Sequence, residues 1–171
     1  MKSSRWIVVA AALAASPCGA AQALVTERTI SIDAAQQAAR VALELCRKEG
    51  HHVAVTVLDH AGRTKVVLRD DGASLHSVQH SLNKAYTALT FREPSGDFGK
   101  RNTASPTGAG ALHLDKIATA AGGLPIRAGN DVVGSIGVSG SRGTPGAPGG
   151  AADAKCGQAG IDSIAKGLGG G

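Results

Sequence analysis

The sequence predicts a single α+β domain in which helices pack on an antiparallel sheet. Three segments place apolar residues at helical spacing, short β-branched segments lie between them, and turn residues separate the short segments. The resulting order is helix, two strands, helix, three strands, helix. This order is typical of one antiparallel sheet covered by helices.

The first two elements are a helix and a hairpin. Ser31 is a suitable N-cap for a helix that runs to about Glu49, and Gly50 is a suitable stop. Cys46 lies on the apolar face of this helix. Residues 53–58 and 64–69 are rich in β-branched side chains, and the turn at 59–62 joins them as a hairpin.

A second helix is predicted over residues 74–91. Four apolar residues fall within an arc of about 60° on a helical wheel, which predicts a buried stripe. They are Val78, Leu82, Ala85 and Leu89. The opposite side of the helix carries His76, His80 and Thr87, with Lys84 at its flank.

The second half of the chain is richer in glycine. Residues 95–116 are polar and predict an irregular segment with a short helix near 97–101. Three strands are predicted at 117–119, 124–127 and 132–138, and a closing helix at 153–168. The glycines within 132–138 indicate places where another backbone or a flat ligand approaches closely.

The N-terminal 23 residues have the pattern of a secretory signal. Lys2 and Arg5 precede an apolar run at 6–15, and Ala21 and Ala23 provide the small residues that signal peptidase reads. We therefore expect a signal peptide at 1–23, one domain at 24–168 and a disordered tail at 169–171. The mature chain would be periplasmic or secreted, without a membrane anchor; a buried N-terminal helix is the alternative.

Charge and cysteine content limit the function further. Without Lys2 and Arg5 the formal net charge is two units below the +5 of the full chain, and no basic run remains. Nucleic acid is therefore not an expected partner. Because exported proteins meet oxidising conditions, Cys46 and Cys156 are a candidate disulfide, with two buried inert thiols as the alternative.

Five phrases in order resemble the GlcG/HbpS family of haem-binding and haem-degrading proteins, which is also similar to the C-terminal domain of PduO-type cobalamin adenosyltransferases. They are VLDHAG at 57–62, RDDGA at 69–73, KAYTA at 84–88, GGLPI at 122–126 and VGSIGVSG at 133–140. The resemblance implies a profilin-like fold with a five-stranded antiparallel sheet and flanking helices. It also implies homo-oligomers and haem, or a related tetrapyrrole, as the ligand.

The polar side of the second helix is the candidate haem site. Neutral imidazole ligates haem iron, so His76 is the expected axial ligand, supported by His80, Lys84 and Thr87. The alternative is that this side is merely solvated or faces another subunit. His51 and His52 are a second pair of candidate ligands. Zinc is disfavoured, because no further ligand is spaced to complete a site.

The expected function is haem capture, storage or buffering by a protein without a self-contained catalytic centre. Two alternatives remain open at this point. One is oxidative haem degradation, in which the protein orients haem whose iron activates oxygen. The other is a non-catalytic accessory subunit of a small-molecule utilisation pathway.

The signal peptide leads to a direct prediction. The mature N-terminus of exported protein is expected at Leu24, because only the pattern ending at Ala23 combines small residues with a position just beyond the apolar run. Intact-mass measurement checks this. A mass that retains residues 1–23 would refute the export argument.

Overall fold

The computed structural model describes residues 24–105, 107–143 and 149–169. The predicted signal peptide lies outside these residues, as does the predicted tail except for Gly169. No helix within the described ranges is both long and apolar enough to cross a membrane.

The described residues form an α+β fold, as predicted, with four strands and four α-helices. Short 3-10 helices follow α3, at Ala109–His113, and α4, at Ala165–Leu168. The main elements in chain order are α1 (Ile32–Lys48), β1 (Ala54–Asp59), β2 (Thr64–Arg69), α2 (Ser77–Phe91), α3 (Ser95–Thr103), β3 (Gly123–Ala128), β4 (Asp131–Ser139) and α4 (Gly149–Ile164).

The four strands form one antiparallel sheet in the order β2-β1-β4-β3. The predicted hairpin is confirmed, since β1 pairs with β2 from Ala54 opposite Arg69 onward. The sheet closes through the pairing of β1 with β4, which sets Val57 opposite Ile136. Strands β1 and β4 are therefore central, and β2 and β3 are the edges.

The prediction of five strands is wrong for the described residues, because the segment 117–119 is irregular. Its backbone is bound by side chains of the neighbouring helices instead of by a strand. The Ala118 amide donates to Thr87 Oγ1 at 2.9 Å, and the Ala120 carbonyl accepts from Ser95 Oγ at 2.7 Å. Lys116, just before it, has a φ of 58°, outside the extended region that a strand needs.

The two faces of the sheet differ in chemistry because side chains alternate along each strand. Val55, Val57, Ile136 and Val138 belong to the aliphatic core beneath α1 and α4. The opposite face, under α2, carries small and polar residues. Thr56 Oγ1 there lies 2.7 Å from Ser81 Oγ, and Ser135 Oγ donates to the Ala85 carbonyl.

Helix α1 is positioned by the features that predict it. Ser31 is its N-cap, and Ser31 Oγ accepts a hydrogen bond from the Ala34 amide at 3.2 Å. Its small buried residues allow close packing against α4. A Cβ at Gly160 of α4 would lie 2.4 Å from the Ala38 carbonyl oxygen.

Helix α2 buries only part of the stripe that the wheel predicts. Ala85 is fully buried, as predicted, but Val78, Leu82 and Leu89 are half-buried. The other fully buried residues include Ser81, Lys84 and Ala88. Close approach explains the difference. Cβ atoms built at Gly137 and Gly123 would lie 2.0 Å from the carbonyl oxygens of Ser81 and Lys84, so the helix rests on the sheet with its backbone. Larger side chains flank this contact.

This contact leads to a prediction for Gly137→Ala. The added methyl would overlap the Ser81 carbonyl, and both backbones are fixed by their own hydrogen bonds. We expect the free energy of unfolding to fall by about 1–3 kcal/mol, the usual cost of overpacking. Urea unfolding followed by circular dichroism measures it.

Gly110→Ala is the matched control, because no atom of the described residues lies within 4 Å of its added Cβ. Its effect should stay within about 0.5 kcal/mol. Equal stability of the two variants would show that α2 does not rest on Gly137.

Candidate functional site

A cleft of about 800 Å³ lies where the start of α2, the loop after α1, the end of β4 and the start of α4 meet. Four of the protein's six histidines line it, and we call it the histidine cleft. The lining residues with side chains that bear on its chemistry are His51, His52, His76, His80, Lys84, Ser139, Ser141, Arg142 and Asp153. It therefore brings together both pairs of histidines that the sequence offers as alternatives.

His80 is the most firmly held of these imidazoles. It is half-buried, and its Nδ1 lies 3.1 Å from Ser139 Oγ at the end of β4. Burial lowers the pKa of His80, and the nearby charge of Lys84 lowers it further. The ring is thus held in its neutral form, the form that ligates a metal.

His76 lies one turn earlier, at the N-cap of α2, and is exposed. The helix begins at Ser77, later than the predicted start at residue 74, so His76 projects from the very end of the helix. Among the described residues its side chain makes no hydrogen bond. His76 is therefore free to turn into the cleft.

The opposite wall carries His51 and His52. His52 Nδ1 lies 3.2 Å from Asp70 Oδ2, and the Arg47 guanidinium donates to Asp70 Oδ1. Hydrogen bonding from Arg47 holds the pKa of Asp70 below its usual range, so this buried carboxylate stays charged and orients His52.

Lys84 forms the floor of the cleft with Asp153. Lys84 Nζ donates to Asp153 Oδ2 at 2.7 Å and to the Val138 carbonyl at 3.0 Å. Both side chains of the pair are at most 4% exposed. Burial lowers the pKa of Lys84, while the charge of Asp153 opposes that effect. Asp153 Oδ1 also accepts from the Ser141 amide, which ties α4 to the loop after β4.

Thr87 lies outside the lining of the cleft. It is fully buried, and its Oγ1 donates to the Asn83 carbonyl while accepting from the Ala118 amide. Phe91, on the same side of the helical wheel, stacks on Phe98 with ring centroids 4.1 Å apart. The structure thus brings His76, His80 and Lys84 to the cleft and places Thr87 in the contact between α2 and the segment before β3.

Cys46 and Cys156 lie together beneath the same end of the molecule. Their sulfur atoms are 2.09 Å apart and their Cα atoms 5.7 Å apart, so the structure joins α1 to α4 at this point. Both residues are fully buried.

Two buried carboxylates of this region, those of Asp70 and Asp153, are not predicted from the sequence. Asp153 lies 69 residues from Lys84 along the chain, and Asp70 lies in a stretch that predicts only a turn. A usable signal for Asp153 is its isolation: it is the one charged residue between 143 and 154 of the sequence.

The distribution of the histidines favours the histidine cleft over a second cleft. A second cleft of about 510 Å³ lies between the start of α1 and the C-terminal 3-10 helix, but no histidine lines it. Within the described ranges, no cluster of three or more His, Cys, Asp or Glu side chains is placed to hold a bare metal ion.

Comparison with known families decides the identity of the domain. Residues 30–162 match the model of a family described as "Haem degrading protein HbpS-like". The chain belongs to the HbpS-like family.

Individual relatives agree with this family assignment. A double mutant of HbpS from Streptomyces reticuli is 35% identical, with a TM-score of 0.74 over 88% of this chain and 98% of that one. The PduOC:haem complex shares the fold, at 23% identity and a TM-score of 0.68 over 80% of this chain and 95% of that one. An uncharacterised 15.0 kDa protein from the dhaT-dhaS intergenic region of Citrobacter freundii is 33% identical over 66% of this chain and 80% of its own length.

The buried ion pair leads to a stability prediction. Lys84→Met should lower the free energy of unfolding by about 3–5 kcal/mol, because it leaves Asp153 buried and charged without its partner. Lys84→Met combined with Asp153→Asn should be more stable than Lys84→Met alone, because the asparagine amide oxygen still accepts from Ser141 without carrying charge. Urea unfolding of the variants measures both effects.

Lys100→Met is the control, since its pair with Asp97 is exposed on both sides. Removing that pair should change stability by less than about 1 kcal/mol. A Lys84→Met variant as stable as Lys100→Met would contradict the buried-pair argument.

Proposed function

We propose that the mature, exported protein binds haem in the histidine cleft and acts in haem capture, storage or buffering. The observation that carries the proposal is the meeting of His51, His52, His76 and His80 in one cleft of an HbpS-like domain. Imidazole is a common axial ligand of haem iron. The export and periplasmic or secreted location belong to the same proposal.

The donors of the cleft fit haem iron. His76 is our proposed axial ligand, because it is exposed, lines the cleft and makes no side-chain hydrogen bond with the described residues. His80 supports it from one turn below, neutral and held by Ser139. Bound haem would supply a redox-active iron and an intense Soret band, whereas the protein's own residues hold and orient it.

The cationic side chains divide into two kinds. Lys84 is neutralised by Asp153 and is 2% exposed, so it can pair with a haem carboxylate only by leaving that partner. Arg142 is exposed, lines the cleft and makes no ion pair with the described residues. We therefore assign the attraction for haem carboxylates mainly to Arg142, with Lys84 supporting the floor.

The apolar macrocycle needs cover from large apolar side chains, and among the described residues no large aliphatic or aromatic side chain lines the cleft. Leu75 supports the proposal here. It lies between Ser74 and His76, both of which line the cleft, and it is 95% exposed. An exposed leucine between two lining residues of a polar cleft is suited to cover one face of a flat ligand.

A homo-oligomer with a profilin-like architecture remains part of the proposal. Its support is the half-buried apolar row of α2, formed by Val78, Leu82 and Leu89, together with Val67 on edge strand β2, which is 44% exposed. A second copy of the chain that covered this surface would complete the burial that the helical wheel predicts.

Oxidative haem degradation is the second candidate, and the description of the family favours it. The two candidates differ in the fate of the ligand. Degradation predicts that haemin-loaded protein, given a reductant and oxygen, loses its Soret band and releases a linear tetrapyrrole. Capture or buffering predicts that the band persists.

A haemin titration of the mature protein tests the proposed site. His76→Ala should shift or abolish the Soret band of the complex, because the proposed axial ligand is lost. Arg142→Gln and Leu75→Ser should weaken haemin binding by about 3- to 10-fold without shifting the band, since neither touches the iron. His113→Ala is the matched control, because His113 is exposed and lies outside the cleft.

Two results of the same titration would contradict the proposal. An unchanged spectrum for His76→Ala, together with an altered one for His51→Ala or His52→Ala, would move the ligand to the opposite wall. Absence of a haem spectrum in the unmodified protein would refute haem binding altogether and favour an accessory role.

A further inference from the structure

The first residues of α4 have a low intrinsic tendency to form a helix, and they lie in a wall of the histidine cleft. The first four residues of the helix are Gly149, Gly150, Ala151 and Ala152, and each glycine disfavours a helix by about 1 kcal/mol relative to alanine. Before Cys156 this part of the helix has no large apolar side chain to bury. Its own sequence therefore does little to hold it in place.

This weak segment nevertheless forms one wall of the histidine cleft. Gly150 and Asp153 line the cleft. Gly150 packs so closely that an added Cβ would lie 2.9 Å from the Ala121 carbonyl oxygen. Asp153 holds both Lys84 and the Ser141 amide. Movement of the first two turns of α4 would expose Lys84 and release the loop at Ser141.

Cys156 follows Asp153 by three residues, so it lies one helical turn further on. Its bond to Cys46 fixes this turn to α1, and Cys46 Sγ also lies 3.8 Å from Ser141 Oγ. The covalent link is thus placed between the weak segment and the rest of α4.

The second half of α4 is held independently of the disulfide. Gly160 packs against the Ala38 carbonyl, Ile164 is 5% exposed, and Gln37 donates to the Ser163 carbonyl at 2.7 Å. Loss of the disulfide would therefore act first on residues 149–156, not on the whole helix.

We propose that oxidation of Cys46 and Cys156 is the step that assembles the histidine cleft. The disulfide would fix the first two turns of α4, residues 149–156, in their place as one wall of the cleft. In the dithiol form these turns open and close, and the cleft is incomplete. The two thiols lose two electrons and two protons as the S–S bond forms, and a disulfide oxidant of the thiol–disulfide exchange type accepts them and becomes a dithiol.

The burial of the bond makes this step one-way in the folded protein. Both cysteines are fully buried, and exchange requires an attacking thiolate to reach a sulfur atom in line. A small dithiol reductant should therefore leave the bond intact until the protein is denatured. Once formed, the disulfide therefore stays oxidised in the folded protein and does not respond to the surrounding redox state.

Hydrogen exchange of the Cys46→Ala/Cys156→Ala double variant tests the proposal without any ligand. Amides of residues 150–156 and of Ser141 should exchange at least about 10-fold faster than in the oxidised protein, while amides of 158–164 and of β1 change less than about 2-fold. Val133→Ala is the matched control, because it weakens the core while leaving the disulfide in place. It should show no selective effect on 150–156.

Chemical modification gives a second, independent measurement. Acetylation of Lys84 by a small acylating reagent should be at least about 10-fold faster in the double variant, while the rate at Lys100, whose side chain is 84% exposed, stays the same. Alkylation of the unreduced, denatured protein first establishes that the exported chain has no free thiol at Cys46 or Cys156.

Each of the other outcomes would contradict the proposal that the disulfide assembles the cleft wall. Exchange that rises uniformly over the whole chain, or a double variant that does not fold, would show that the disulfide stabilises the entire domain and not residues 149–156 in particular. Unchanged exchange at 150–156 would make it irrelevant to the cleft. These readouts are independent of haem, so failure of haemin to bind would refute the proposed function and leave this inference standing.

Discussion

The contact on which the rest of the structure depends is the approach of the α2 backbone to two glycines of the sheet. Gly123 and Gly137 leave no room for a side chain between helix and sheet. The helix must therefore face the sheet with small or flexible residues, and its larger apolar side chains lie to either side. The same approach brings Lys84 over the end of β4 and sets His80 against Ser139. The site is thus a consequence of how the helix packs.

Burying Lys84 has electrostatic consequences for the whole cleft. A buried ammonium needs a partner, and Asp153 supplies it from another helix. The pair carries little net charge, so the floor of the cleft is polar without attracting carboxylates strongly. Burial lowers the pKa of His80, and the ammonium of Lys84, one turn away, lowers it further. A neutral imidazole above a neutralised floor suits metal ligation better than it suits binding of a free anion.

The sequence predicts those parts of the molecule that depend on local signals. Ser31 caps α1 as expected, and the β-branched run before the turn at 59–62 forms β1. The buried side of α2 is predicted only in part: Ala85 is buried as expected, but a helical wheel ranks Val78 above Ser81, whereas close contact with the sheet glycines favours the smaller side chain. The segment 117–119 was mispredicted because its backbone partners are side chains of distant residues. Asp153 was missed for the same reason, as nothing local pairs it with Lys84.

The buried pair and the disulfide hold α4 to the rest of the domain in different ways. The ion pair forms in any compartment, because neither Lys84 nor Asp153 needs an oxidant. The bond between Cys46 and Cys156 forms only where thiols oxidise. A cleft wall that needs both would remain incomplete while the chain is in a reducing compartment and would close after export. Ligand binding would then be confined to the compartment in which the proposed signal peptide places the mature chain. Haem in the compartment of synthesis would not be bound.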